Sequence, residues 1–225
     1  MRNFIITILL LASSFITIYA QNITGAYIAK NDNDTHLLLF VDGYVTKSVY
    51  NKDSYKNTQG GTYKVQAGKL IVQCEFDDKN PANVGASHQS PLQIKPSVIE
   101  LEGVSFQKQA NKSQALDGLW RITGRKVNDK IQTIQRGDRK TIKILVDGYF
   151  QWIAINPAEK GFFGTGGGKY VFNEDKYQEN ILFFSRDNSR VGASLNFDGK
   201  IDNKDWHHTG KSSKGDPIFE IWSRD

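Results

Sequence analysis

The side chains best equipped for chemistry lie in the C-terminal half of the 225-residue chain. On a strand, Trp206-His207-His208 sends Trp206 and His208 to one face and His207 to the other. His208 beside an indole is a candidate polar anchor or acid–base group. Adjacent histidines on a strand do not share a metal ion easily, and His36 and His88 lie in the other half. With no His-x-His or Cys-x-x-Cys spacing, neither a metal nor another cofactor is expected. The single cysteine, Cys74, alternates with apolar neighbours in Leu70-Ile71-Val72-Gln73-Cys74-Glu75-Phe76, which reads as a buried thiol and rules out an internal disulfide. No Ser-His-Asp or Cys-His set can be placed by spacing alone.

Two further stretches look chemical and need context. Gly161, Gly164, Gly166, Gly167 and Gly168 superficially resemble a phosphate loop, but a tyrosine-bearing strand follows instead of a helix, so a β connection or bulge is expected. Arg186-Asp187-Asn188-Ser189-Arg190 reads as a polar turn whose two arginines could meet an anionic ligand at a rim.

What must position these residues is β structure, and an internal repeat shows it. Val41-Asp42-Gly43-Tyr44 recurs as Val146-Asp147-Gly148-Tyr149, Gly60-Gly61-Thr62-Tyr63 as Gly167-Gly168-Lys169-Tyr170, and Val84-Gly85-Ala86-Ser87 as Val191-Gly192-Ala193-Ser194, at offsets of 105, 107 and 107 residues. The chain is therefore a tandem duplication, with copies over residues 21–109 and 116–225 and a polar linker over 110–115. Each copy holds about eight short β-rich runs. In the second copy these include Thr141 to Val146, Tyr149 to Ile155, Val191 to Phe197, Asp205 to Lys211 and Pro217 to Arg224. The expected fold is all-β: two tandem small antiparallel barrels, because closure removes the edges that eight short strands would expose. Lys126 to Arg139 has no counterpart in the first copy and reads as an inserted loop or short helix over one barrel mouth.

The Asp147-Gly148 pair suits a two-residue type I′ turn, which fixes the register of its hairpin. One face then carries Lys143, Leu145, Phe150, Trp152 and Ala154; the other carries Ile142, Ile144, Val146, Tyr149, Gln151 and Ile153. Both faces are substantially apolar. One is expected to line the barrel, with Phe150 and Trp152 inside, and the other to pack on the sister copy or a partner. All four tryptophans, Trp120, Trp152, Trp206 and Trp222, fall in the second copy, so that copy is the expected holder of a ligand.

The net charge of +5 is interspersed with acidic residues, so a nucleic-acid partner is not indicated. Residues 1–20 carry Arg2, an apolar run from Phe4 and a small residue at Ala20, the pattern of a cleaved signal peptide. No cysteine follows that run to accept a lipid, and no later run is long enough for a membrane span. A secreted or periplasmic location is expected.

Gly118-Leu119-Trp120 and Trp222-Ser223-Arg224 resemble the paired first-strand and last-strand motifs of the calycin superfamily, in which a basic side chain lies across an indole and seals the barrel. Gly25-Ala26-Tyr27 and Phe106-Gln107-Lys108 are a weaker version in the first copy. More closely, Lys143 through Asp147-Gly148-Tyr149-Phe150-Gln151-Trp152, Gly166-Gly167-Gly168-Lys169-Tyr170, Asp205-Trp206, Gly210 and Glu220-Ile221-Trp222-Ser223-Arg224 resemble lipocalin-like domains of bacterial exported proteins, a family of unknown function. The resemblance implies fold and export and brings no catalytic residues. Barrel closure is accordingly assigned to Gly118, Trp120, Arg224, Gly25, Tyr27 and Lys108. Ligand contact is assigned to Lys143, Phe150, Trp152, Trp206 and His208. The leading expectation is a binding protein for a small apolar or amphipathic molecule or a sugar. The alternatives are a module that docks solid barrels on an envelope protein or polymer, and an isomerase or lyase.

Overall fold

A computed structural model describes residues 23–212 and 214–224; the expected signal segment lies outside them. Two closed eight-stranded antiparallel barrels follow one another along the chain. The first is formed by β1 (Gly25–Asn31), β2 (Asp34–Val41), β3 (Tyr44–Tyr50), β4 (Tyr55–Gln66), β5 (Lys69–Asp77), β6 (Ser87–Lys95), β7 (Val98–Leu101) and β8 (Val104–Lys108). The second has β9 (Gly118–Val127), β11 (Lys140–Val146), β12 (Tyr149–Asn156), β13 (Gly161–Asn173), β14 (Lys176–Phe184), β15 (Ser194–Asp202), β16 (Asp205–Lys211) and β17 (Pro217–Arg224), while β10 (Lys130–Thr133) pairs with β9 outside the ring.

Local chemistry accounts for the hairpins. Asp42 and Gly43 take φ of 48° and 73°, and Asp147 and Gly148 take 52° and 77°, the positive pair a type I′ turn needs. The register is the one the turn dictates, with Val146 opposite Tyr149 and Lys143 opposite Trp152. The inserted segment is a strand and loop, not a helix. Its β10 extends the hairpin from β9, and Arg121 donates to the Gly137 carbonyl to hold the loop down.

The sixth strand of the second copy, expected over Val191 to Phe197, begins only at Ser194, and its counterpart, which the repeat puts at Val84 to His88, begins only at Ser87. The repeated Val-Gly-Ala is a turn instead. Gly85 and Gly192 stand at φ 90° and 86°, and each donates its N–H to the carbonyl of the equivalent residue, Cys74 or Ile181, at 2.9 Å.

Both barrels close as the end motifs imply. The Arg224 guanidinium lies 4.0 Å from the centre of the Trp120 ring and donates to the Asp117 and Ala115 carbonyls just ahead of β9. A Cβ on Gly118, whose φ is 143°, would collide with that guanidinium. Lys108 sits 5.7 Å from the Tyr27 ring, the looser counterpart, above Gly25 at φ 144°.

Three apolar clusters result. One lies within each barrel, and the third joins them: Leu37, Leu39, Val41 and Tyr44 of the first pack on Ile142, Ile144, Val146 and Ile153 of the second. The outward apolar face of β11 and β12 is thereby covered by the sister copy. Gln151, fully buried in this seam, donates to Thr58 across it and to Thr165 on its own side, both at 3.0 Å.

Candidate functional site

The five expected ligand contacts do come together inside the second barrel, where they meet a set of charged and aromatic side chains. Lys143, 4% exposed, places its Nζ 3.0 Å from Glu179 Oε1 and about equally far from the rings of Tyr177, Trp206 and Trp222, at 5.2, 5.0 and 5.0 Å. Tyr177 donates its hydroxyl to the same Glu179 oxygen at 2.9 Å. An ammonium taken out of water survives there because a carboxylate and three ring faces replace its hydration. His208 Nδ1 lies 3.2 Å from Glu220 Oε2, which also accepts the Trp222 indole N–H at 3.0 Å. Burial first, and then Lys143, lower the His208 pKa, so the imidazole is neutral at pH 7. Burial works to raise the Glu220 carboxyl, but His208, Lys143 and the Trp222 N–H together hold it below its ordinary value. Burial and the Glu179 charge push the Tyr177 hydroxyl far up.

Phe150, Trp206, Tyr177 and Phe197 complete this interior, and Trp206 and Phe150 are wholly buried. Of the five, only Trp152 is half-exposed and borders open space.

The equivalent positions of the first barrel are occupied differently. Strand registers pair Lys143 with Leu38, Tyr177 with Leu70, Glu179 with Val72, Phe197 with Ser90 and His208 with Leu101. Each first-copy residue is smaller or apolar where its sister is large or charged. Those same five residues, Leu38, Leu70, Val72, Ser90 and Leu101, line a cup of about 370 Å³ in the first barrel. The space that five second-copy side chains fill is thus left open in the first copy.

The cup has an apolar floor and a polar mouth. Leu38, Val45, Leu70 and Leu101 are buried at its base. At the opening, Lys47 stands 3.5 Å from Glu102, and Ser90 donates its hydroxyl to Glu102 at 2.7 Å. The Ser90 hydrogen bond, with help from Lys47, lowers the Glu102 pKa against the opposing effect of burial. His88 also borders the opening, and Cys74 borders the cup from within the wall at 6% exposure. Burial and then Asp77 push its thiol up to about 11, which makes it a protonated wall residue at neutral pH and not a nucleophile.

None of the cup residues was singled out for binding from the sequence. The signal was present in the repeat itself, since aligning the copies sets leucine, valine and serine against lysine, glutamate, tyrosine and phenylalanine. No group of three or more His, Cys, Asp or Glu side chains able to hold a metal occurs among the described residues. No protein-family model and no curated protein matches the chain.

Proposed function

We propose that this is an exported, lipocalin-like binding protein whose first barrel carries a small amphipathic molecule, its apolar part on Leu38, Leu70, Val72 and Leu101 and its polar end at Lys47 and Glu102. One observation carries the reading: five equivalent positions are filled in one copy and hollow in the other. A void lined by aliphatic side chains forfeits their contacts and costs stability. Keeping one in only one of two sister barrels is economical if a ligand occupies it. The volume is at the small end of the range for small-molecule sites.

The other two expectations draw less support. Docking of solid barrels on an envelope partner called for bare outward apolar faces, and the β11–β12 face is spent on the sister barrel. The acid–base expectation rested on His208, and that imidazole is packed with Lys143, Glu179 and Glu220 in the filled barrel, whereas the cup lies in the other.

Titrating the protein with the neutral fluorophore N-phenyl-1-naphthylamine tests the proposal. Saturable fluorescence enhancement is expected, lost in Val72→Phe, which occupies the cup with an apolar ring while leaving the rest of the wall intact. No enhancement with the unaltered protein, or enhancement indifferent to Val72→Phe in a folded variant, overturns it.

A further inference from the structure

A second cavity, of about 640 Å³, opens at the end of the second barrel away from the Asp147-Gly148 turn, and nothing in the cup reading uses it. Its walls are Trp152, Phe163 and Phe184, and its charges are Arg139, Arg186 and Arg190. Lys214 adds a fourth cation, against a single carboxylate, Asp187. That carboxylate is already engaged by Arg190 at 3.0 Å and by Ser189. Arg139 and Arg186 make no ion pair among the described residues, although Arg139 stacks 4.1 Å over the Phe163 ring.

Several independent features of the second copy build this cleft. The insertion absent from the first copy delivers Arg139. Where the second copy has Trp152, Phe184 and Arg190, the first has Lys47, Asp77 and Asn83. The glycine-rich strand makes the room. A Cβ on Gly166 would stand 2.7 Å from the Trp152 indole nitrogen, and one on Gly164, at φ 141°, would stand 3.0 Å from Arg186 Nε. Trp152 and Phe184 meet edge to face at 5.4 Å, so the indole is held in one orientation by its neighbours.

We propose that this cleft is a separate binding site for a small ring bearing a carboxylate, the ring against Trp152 and the carboxylate on the guanidiniums of Arg186 and Arg139. A flat apolar wall recognises a ring face, and a guanidinium fork with no carboxylate partner among the described residues matches a carboxylate in geometry and charge, even though Arg139 also donates to the Lys140 carbonyl at 3.2 Å. Sugar acids and aromatic acids share that chemistry.

The experiment titrates the protein separately with glucuronate and benzoate, and with their neutral counterparts glucose and benzyl alcohol, following tryptophan fluorescence. The other three tryptophans are at most 3% exposed, so Trp152 reports. At least one carboxylate is expected to saturate the signal, and which one does so identifies the sugar or the aromatic class. Its affinity should fall by about tenfold in Arg186→Gln and in Arg139→Gln, both exposed positions that leave the core alone. Val72→Phe, which plugs the cup, should leave the affinity unchanged; a loss there would trace the signal to the first barrel and overturn the second site. So would neutral counterparts that bind as well as the acids, affinity indifferent to both arginine substitutions, or no saturable change with either acid up to about 10 mM.

Discussion

The carboxylate of Asp42, at the hairpin turn of the first barrel, accepts the backbone N–H of Leu119 on the opening strand of the second at 2.9 Å. The relationship is returned, since Asp147 accepts the Ala26 N–H of the first barrel at 3.3 Å. Two equivalent turns thus cap two equivalent strand starts, and the apolar seam of Leu37, Leu39, Ile142 and Ile144 lies between these caps. The duplicated barrels are docked by a reciprocal pair of interactions that a single copy would lack.

Replacing either aspartate by glycine keeps the positive-φ turn and removes only the acceptor. Asp147 is 7% exposed, and its loss leaves the buried Ala26 N–H unpaired, so Asp147→Gly is expected to cost about 1–3 kcal/mol in denaturant unfolding. The Asp42 side chain is 54% exposed, so water can replace it, and Asp42→Gly should cost less. No loss in either variant would show that the caps do not hold the seam.

The Lys143–Glu179 pair supplies a second expectation. Lys143→Leu or Glu179→Val alone strands a buried charge and is expected to destabilise by about 3–5 kcal/mol. The double substitution installs the residues the first barrel uses, Leu38 and Val72, and should recover most of that loss. It should also hollow the second barrel, detectable as additional N-phenyl-1-naphthylamine binding. A double variant as unstable as the sum of the singles would refute the equivalence of the two interiors.

Much of the fold was legible because hairpin register is local chemistry. Asp147-Gly148 sets Lys143, Phe150 and Trp152 on one face, and the barrel interior takes that face. The sixth strands start late for an equally local reason: Gly85 and Gly192 turn the chain at φ 90° and 86°, while Pro91 and Asp198-Gly199 lie inside the strands that follow. Gly199 is there because the Trp206 indole nitrogen would stand 2.9 Å from any Cβ at that position. Hollow against filled was not legible in either copy alone. It depends on how Leu38, Leu70, Val72 and Leu101 converge from three different strands, and tryptophan content does not report that. The rim cleft was half legible. Arg186 and Arg190 stood out as a rim pair, but their meeting with Trp152 and Arg139 is set by barrel closure.

His208 gives the protein a predictable pH response. Its neighbours are Glu220, Lys143, Glu179 and Tyr177, and its folded pKa lies below its ordinary 6.5. The unfolded chain therefore takes up a proton first, and stability must fall as pH drops below about 6.5. His36, lowered by burial and by Lys47, adds to the same slope. Glu220, held below 4.5 in the fold, extends the loss to lower pH, while Asp117, raised mainly by burial, opposes it in the carboxylate range. Tm measured from pH 8 downward should decline below about 6.5, and His208→Gln should flatten that decline. An unchanged profile in His208→Gln would mean that the fold does not lower the imidazole's pKa.

Cys74 reports on the cup directly. With its thiol raised to about 11, only roughly a thousandth of it is thiolate at pH 8, so alkylation by iodoacetamide should be slow in the folded protein and fast after unfolding. Because Cys74 borders the cup, a saturating concentration of N-phenyl-1-naphthylamine should slow the reaction further. Val72→Phe should slow it without any ligand, since the added ring occupies the approach to the sulfur. A fluorophore that binds the protein yet leaves the alkylation rate unchanged would place its site elsewhere, and the hollow of the first barrel would then need another explanation.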